Sequence, residues 1–195
     1  MKVDRQSNIQ YLGRKKLVPQ KSDSALVNGA LAGDADSFTQ LCRRYYPAMV
    51  AIAHSIIGDR HLAEDAAQQA FADAVRKLPQ LRKKEKFAAW LTVICRNAAF
   101  DLARKTDVAR ASNDLSSVAA EPHTDDMVQA IKDAVTGLSV SEREIIFLRF
   151  YDGMSYGEIS AVLGISNQAI NGRLRRAKKK IAMLLTRNGF EEVSL

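Results

Sequence analysis

The sequence predicts an all-α protein built as two small helical domains joined by a flexible linker, the C-terminal one a helix-turn-helix. Three observations carry that prediction. Apolar residues recur at three- and four-residue steps through nearly every segment, and no alternating run marks a strand. Ser and Asp caps and punctuating glycines sit where those periodic runs begin and end. A strip at residues 106–126, TDVARASNDLSSVAAEPHTDD, has almost no large apolar residue and so cannot bury enough surface to order itself. The boundaries that follow are a basic tail at 1–21, a first domain at 22–105, the acidic linker at 106–126 and a second domain at 127–195. A length of 195 residues fits two such domains.

In the first domain, Asp34 caps a long amphipathic segment with Phe38, Leu41, Cys42, Tyr45, Met49, Ile52, Ala53 and Ile56 on one face. Pro47 is expected to kink or split it, and Gly58 to end it. A second helix is expected from about Leu62 to Leu78, stopped by Pro79, with Ala63, Ala67, Ala70, Phe71, Ala74, Val75 and Leu78 as its apolar arc. Outside that arc stand Asp65, Gln68, Gln69 and Arg76. After the basic loop PQLRKKEK, a third helix from about Phe87 to Lys105 has Leu91, Ile94, Cys95, Ala98 and Leu102 as its core stripe. Its other flank interleaves Trp90, Arg96, Asn97, Phe100 and Arg104. Aromatic, amide and guanidinium groups together suit single-stranded nucleic acid, where bases stack and phosphates pair with cations. Packing of Trp90 and Phe100 against neighbouring helices fits the same pattern equally well.

Four helices are expected in the second domain. The first covers about Asp126 to Val135. Ser139 with Glu142, and then Ser155 with Glu158, make two capping-box patterns, each opening a helix. Gly164 supplies a turn, and Ser166 caps a last helix running towards Leu185. Short helix, glycine turn and longer helix is the helix-turn-helix order. On the last helix Ile170, Leu174, Ala177 and Ile181 face the core. Gln168, Asn171, Gly172, Arg175 and Lys179 face outward, with Asn167 and Arg176 at the margins.

The charge distribution identifies a polyanionic partner more sharply than the net +7 does. From Arg173 to Arg187 there are seven basic residues and no acidic one, starting on the helix that would enter a major groove. A solvated helix face mixes both signs. Catalysis has no support: His54, His61 and His123 lack a carboxylate or Cys at catalytic spacing, and the phosphate-loop, dinucleotide and nucleophile-elbow motifs are absent. Cys42 and Cys95 form no metal or disulfide pattern and read as small core residues. No cofactor is called for. With a charged N-terminus and no long apolar run, the chain is expected to stay in the cytoplasm.

With those residues in place, the chain resembles a bacterial RNA polymerase sigma factor of the extracytoplasmic-function (ECF) group. The matching stretches are GDADSFTQLCRRYYP, AEDAAQQAFADAVRKL, FAAWLTVICRNAAFDLARK and LSVSEREIIFLRFYDGMSYGEISAVLGISNQAINGRLRRAKKKI, collinear and interrupted by the linker. The resemblance implies that the first domain is sigma region 2, which docks on core RNA polymerase and melts the promoter. The second would be region 4, which reads the minus-thirty-five element. It further implies that Asp65, Gln68, Gln69 and Arg76 dock the polymerase clamp coiled coil. Arg82, Lys83, Lys84, Lys86, Arg96, Asn97 and Arg104 would hold the single-stranded minus-ten element. Asn167, Gln168, Asn171, Arg173, Arg175, Arg176 and Lys179 would contact the minus-thirty-five duplex. Melting would be driven by capture of unstacked bases, without nucleotide hydrolysis.

Core polymerase, promoter DNA and an anti-sigma protein are the partners this implies. Gln168, Ala169, Ile170, Asn171 and Gly172 stand where the family usually carries a small residue followed by Thr-Val-Lys-Ser, which implies an atypical promoter sequence. Two other readings are compatible with the residues alone. One is a helix-turn-helix regulator whose N-terminal helices dimerise or bind an effector, and the other a sigma mimic that sequesters a regulator.

Overall fold

Side-chain caps start most of the helices. In the computed structural model, which describes residues 21–112 and 126–190, the Ser22 Oγ accepts the Ala25 N–H at 3.2 Å and opens α1 (Asp23–Leu31). Asp34 opens α2 (Ala35–Ile57), accepting from the Asp36 N–H at 3.0 Å and from the Ser37 hydroxyl at 2.6 Å. Asp59 opens α3 (Arg60–Lys77) by accepting the Leu62 N–H at 3.0 Å. Two single-turn helices, Leu78–Gln80 and Lys84–Lys86, then carry the basic loop into α4 (Phe87–Ser112).

Periodicity identifies α2, α3 and α4 but gives no helix at Asp23–Leu31. That segment is a single short stretch with no strong apolar face, and its two buried residues, Leu26 and Val27, are adjacent. Three further differences concern boundaries and burial. Pro47 lies inside α2 without dividing it. Val75, expected in the apolar arc, is 48% exposed, because α3 packs chiefly through the small side chains of Ala63, Ala66, Ala67, Ala70 and Ala74. Finally, α4 continues through residues 106–112, seven residues into the stretch expected to be linker. The Thr106 hydroxyl there donates to the Leu102 carbonyl at 3.0 Å, one turn back. Residues 113–125 of the expected linker and the basic tail to residue 20 lie outside the described residues.

Leu41, Met49 and Ile52 of α2, Phe87 and Leu91 of α4, and Leu26 of α1 are wholly buried together. The Cys95 thiol donates to the Met49 carbonyl at 3.3 Å, and burial pushes its pKa up to about 12. Both observations assign it to packing. Cys42 is half-buried.

The second half comprises α5 (Asp126–Thr136), α6 (Val140–Ile146), a π-helical turn at Phe147–Tyr151, α7 (Tyr156–Leu163) and α8 (Asn167–Arg187). Both expected capping boxes form, Ser139 with Glu142 and Ser155 with Glu158. The wider turn at Phe147–Tyr151 leaves Phe150 58% exposed while Leu148 is buried. Ala130, Ala134, Leu138, Ala177, Ile181 and Leu185 form one apolar cluster between α5 and α8.

The remaining buried apolar residues of this half pack elsewhere. Ile145, Leu148, Ile159, Val162 and Leu163 are continuous with the core of the first half, where α7 lies on α4 and α6 lies on α2. Among the described residues every element is helical, and no helix is long and apolar enough to cross a membrane.

Candidate nucleic-acid and polymerase interfaces

The helix-turn-helix is built by local chemistry. Glu158 accepts from both the N–H and the hydroxyl of Ser155 at 2.7 Å, fixing the start of α7. Gly164 ends it in the left-handed region, φ +68°, which a side chain would strain. The Ser160 hydroxyl spans the turn to the Ile165 carbonyl at 2.6 Å, and Ser166 accepts the Ala169 N–H to start α8. Ile170, Leu174, Ala177 and Ile181 are buried as expected, so the opposite side of α8 must face outward. Asn167, Gln168, Asn171, Arg175, Arg176 and Lys179 are exposed or half-buried along it, as is Arg173.

The basic run on this helix divides into two sets. Lys180 is committed to the buried Glu142, at 2.8 Å, and Lys178 lies over the Phe150 ring, 5.4 Å from its centroid. Among the described residues no acidic side chain holds Arg173, Arg175, Arg176 or Lys179. These four, with the amides of Asn167, Gln168 and Asn171, are free to bond phosphates and base edges.

On α3, Asp65, Gln68, Gln69 and Arg76 stand on the outer side of the helix. Gln69 donates to Asp73 at 2.9 Å, and Arg76 pairs with the same carboxylate. Asp73, absent from the residues expected at this surface, thus organises two of the four. Its spacing of four from Gln69 and three from Arg76 is the signal that marks it. Asp65, Gln69 and Asp73 also line a groove of about 680 Å³ between α3 and α4, closed on the other side by Asn97, Asp101 and Lys105.

The seven residues expected to hold a single strand do not form one cluster. Arg82, Lys83 and Lys86 lie on the loop before α4, and Lys84 beside them donates to the Asn28 side chain. Asn97 lies in the groove with Asp65 and Gln69. Arg104 is exposed and pairs with Asp101. Arg96 is turned the other way, with Nε and an Nη donating to the two carboxylate oxygens of Glu144 at 2.5 and 2.8 Å. Of the two aromatics on that flank, Trp90 is half-buried against Phe87, ring centroids 6.0 Å apart, and Phe100 is 43% exposed. Trp90 therefore packs, and Phe100 remains available.

Comparison with known proteins places both halves. Residues 41–108 match the family model described as Sigma-70 region 2, and residues 128–181 the one described as Sigma-70, region 4. The RNA polymerase sigma factor CnrH of Cupriavidus metallidurans is 31% identical over 86% of this chain and 96% of its own length. The ECF RNA polymerase sigma factor BldN of Streptomyces coelicolor is 30% identical over 84% and 67%. This chain spans 41% of the length of a further relative, the probable sigma factor RfaY of Xanthomonas campestris, at 29% identity over 78% of this chain.

In three dimensions the chain is similar to CnrH solved in complex with the cytosolic domain of CnrY, at a TM-score of 0.60, 29% identity, and coverage of 86% and 99%. It is also similar to the sigma factor RpoE solved with the anti-sigma factor NepR from Bartonella quintana, at 0.53, 30%, and coverage of 78% and 98%. Motifs, fold and relatives agree: the chain belongs to the ECF sigma factors of RNA polymerase.

Proposed function

We propose that this sigma factor directs core polymerase to a bipartite promoter, reading the minus-thirty-five duplex with α8 and the single-stranded minus-ten element with the loop at 82–86 and the adjoining flank of α4. The observation that carries the reading is the free basic and amide face of α8, set behind a capped turn and unopposed by carboxylates among the described residues. In the N-terminal half, the ridge formed by Asp65, Gln68, Gln69 and Arg76 docks the clamp coiled coil. Its polar groups face outward although the helix has ample apolar surface elsewhere to bury. The boundaries follow the same division: region 2 within 22–105 and its helical extension, region 4 within 127–195.

Binding energy drives the reaction. Bases that unstack transiently are held by contacts on α4 and its loop, so melting requires no nucleotide hydrolysis. The cytoplasm, where core polymerase acts, is the compartment this reading requires. An anti-sigma protein is the expected regulatory partner, since RpoE, a structural relative, was solved with one. A helix-turn-helix repressor, the rival reading, has no use for a polar ridge on α3.

Run-off transcription with purified core enzyme and genomic fragments tests the reading, together with Gln68→Ala, which should weaken core binding and leave duplex binding by α8 unchanged. Loss of both properties in that variant would defeat the division of labour.

A further inference from the structure

Although α1 has no strong apolar face of its own, it is fixed to α2 at both ends. At its start, the two carboxylate oxygens of Asp23 accept from Arg44 Nη1 and from the Tyr45 hydroxyl, each at 2.5 Å, and Arg44 Nη2 donates to the Lys21 carbonyl at 2.8 Å. Near its end, a Cβ on Gly29 would stand 2.3 Å from the Ser37 Oγ, so glycine is what lets α1 approach α2 this closely. The Gly29 carbonyl also accepts the Asp34 N–H at 2.9 Å. Leu26 and Val27 are wholly buried between these two anchors. From that fixed position α1 packs against both single-turn helices of the basic loop.

The loop itself is pinned where it meets the core. Leu81 is 8% exposed and Phe87 is wholly buried, its ring 5.8 Å from that of Tyr45. Between them the Lys86 N–H donates to the Lys83 carbonyl at 2.9 Å and closes one turn. The four cations of the loop then divide. Arg82, Lys83 and Lys86 are exposed, and among the described residues no carboxylate pairs with them. Lys84 is half-buried, and its ammonium donates to the side-chain oxygen of Asn28 on α1, 56 positions away. An ammonium committed to a neighbouring helix ties the loop down, whereas the other three keep their charge for phosphates.

We propose that α1 braces the loop at 82–86, with Asn28 as the positioning residue and Lys84 as a strut held by it, so that Arg82, Lys83 and Lys86 alone make the loop's phosphate contacts. The inference rests on the proposed reading of this loop as a minus-ten contact. Phosphate contacts tolerate a loop that moves, because long cationic side chains follow the strand's backbone and carry no sequence information. Seating an unstacked base is more demanding, since its edge must meet partners already in place. A loop ordered before the strand arrives also avoids the cost of ordering it on binding. Asn28 therefore governs which base is accepted more than how tightly any strand is held.

The test uses the full chain bound to core polymerase and the nontemplate minus-ten strand of a promoter that this holoenzyme transcribes. Failure to find any such promoter overturns the sigma reading and the brace with it. Where the promoter exists, affinity is compared between that strand and strands substituted at each minus-ten position. Asn28→Ala should reduce the preference for the native strand about fivefold, the effect of losing one ordinary hydrogen bond. Asn28→Asp keeps an acceptor for Lys84 and should retain the preference, because the repulsion of an added carboxylate weakens all strands of equal charge alike. Lys84→Met should lose the preference and leave the salt slope of strand binding unchanged, whereas Arg82→Ala should lower that slope by about 0.7. A slope that falls by about 0.7 in Lys84→Met with the preference intact would make Lys84 a phosphate contact and overturn the brace, leaving the sigma reading standing. Full preference in an Asn28→Ala chain that folds as wild type by circular dichroism would do the same. Asn28 is exposed, so its replacement opens no cavity.

Discussion

Lys180 of α8 donates to Glu142 of α6 across 2.8 Å, and the same carboxylate closes the capping box on Ser139. One buried side chain thereby starts α6 and ties it to α8. Burial alone would raise the Glu142 carboxyl, but hydrogen bonds from Lys180 and Ser139 outweigh it and hold the group below its ordinary 4.5. A carboxyl depressed in the folded state stabilises above its unfolded value, and that stability is lost as pH falls through the folded one. Acid unfolding followed by circular dichroism should therefore steepen below about pH 4.5, and Glu142→Gln should flatten it. Glu142→Ala should cost about 2 kcal/mol in urea unfolding, from a lost cap and a lost charged hydrogen bond.

His54 makes a separate prediction in a different pH range. Its ring meets the edge of Phe147 at 4.9 Å, and its Nδ1 is buried without a hydrogen-bond partner among the described residues. Burial lowers its pKa below 6.5. Because the unfolded chain takes up the proton first, His54 should reduce stability as pH falls below about 6.5. His54→Phe should flatten the decline of Tm between about pH 7 and pH 5, and an unchanged profile would remove His54 as the cause.

Two glycines flanking the start of α8 should respond in opposite directions. Gly164 has φ +68° and Ala89 beneath it, so Gly164→Ala should destabilise by about 1–2 kcal/mol. Gly172 has ordinary helical backbone, and an added Cβ would meet only the Arg176 guanidinium at 3.5 Å. Gly172→Ala should stabilise by about 1 kcal/mol, raising Tm by about 2–4 °C in a chain of this size. Thermal melts of the two variants side by side give the sign directly.

Arg176 carries the electrostatic prediction. It is exposed and paired with no acidic side chain among the described residues. Arg176→Ala should weaken duplex binding and lower the slope of log affinity against log salt by about one. An unchanged slope would take Arg176 off the list of phosphate contacts.

Capping and periodicity account for the parts of the fold that are legible in the sequence. Ser139 with Glu142, Ser155 with Glu158, Gly164, and the stripe Ile170, Leu174, Ala177 and Ile181 are all local signals within about three turns of helix, and each is realised. Contacts between distant residues carry no such signal. Arg96 and Glu144 are 48 positions apart, Thr92 and Val162 are 70 apart, and a helical wheel cannot name what lies against a face. For the same reason Trp90, Phe100 and Arg96 read as one flank, yet the fold packs the first, exposes the second and pairs the third. Asp73 stands in none of the sets the sequence singles out, although its spacing from Gln69 and Arg76 marks it as their shared partner.

Under the proposed function, this chain confers promoter-specific initiation on core polymerase. Transcription from genomic fragments by purified core enzyme, with and without the chain, measures it most directly. Discrete transcripts should appear only when the chain is present, starting downstream of a shared pair of elements. Stable absence of core binding, with no chain-dependent transcript from any fragment, would contradict it.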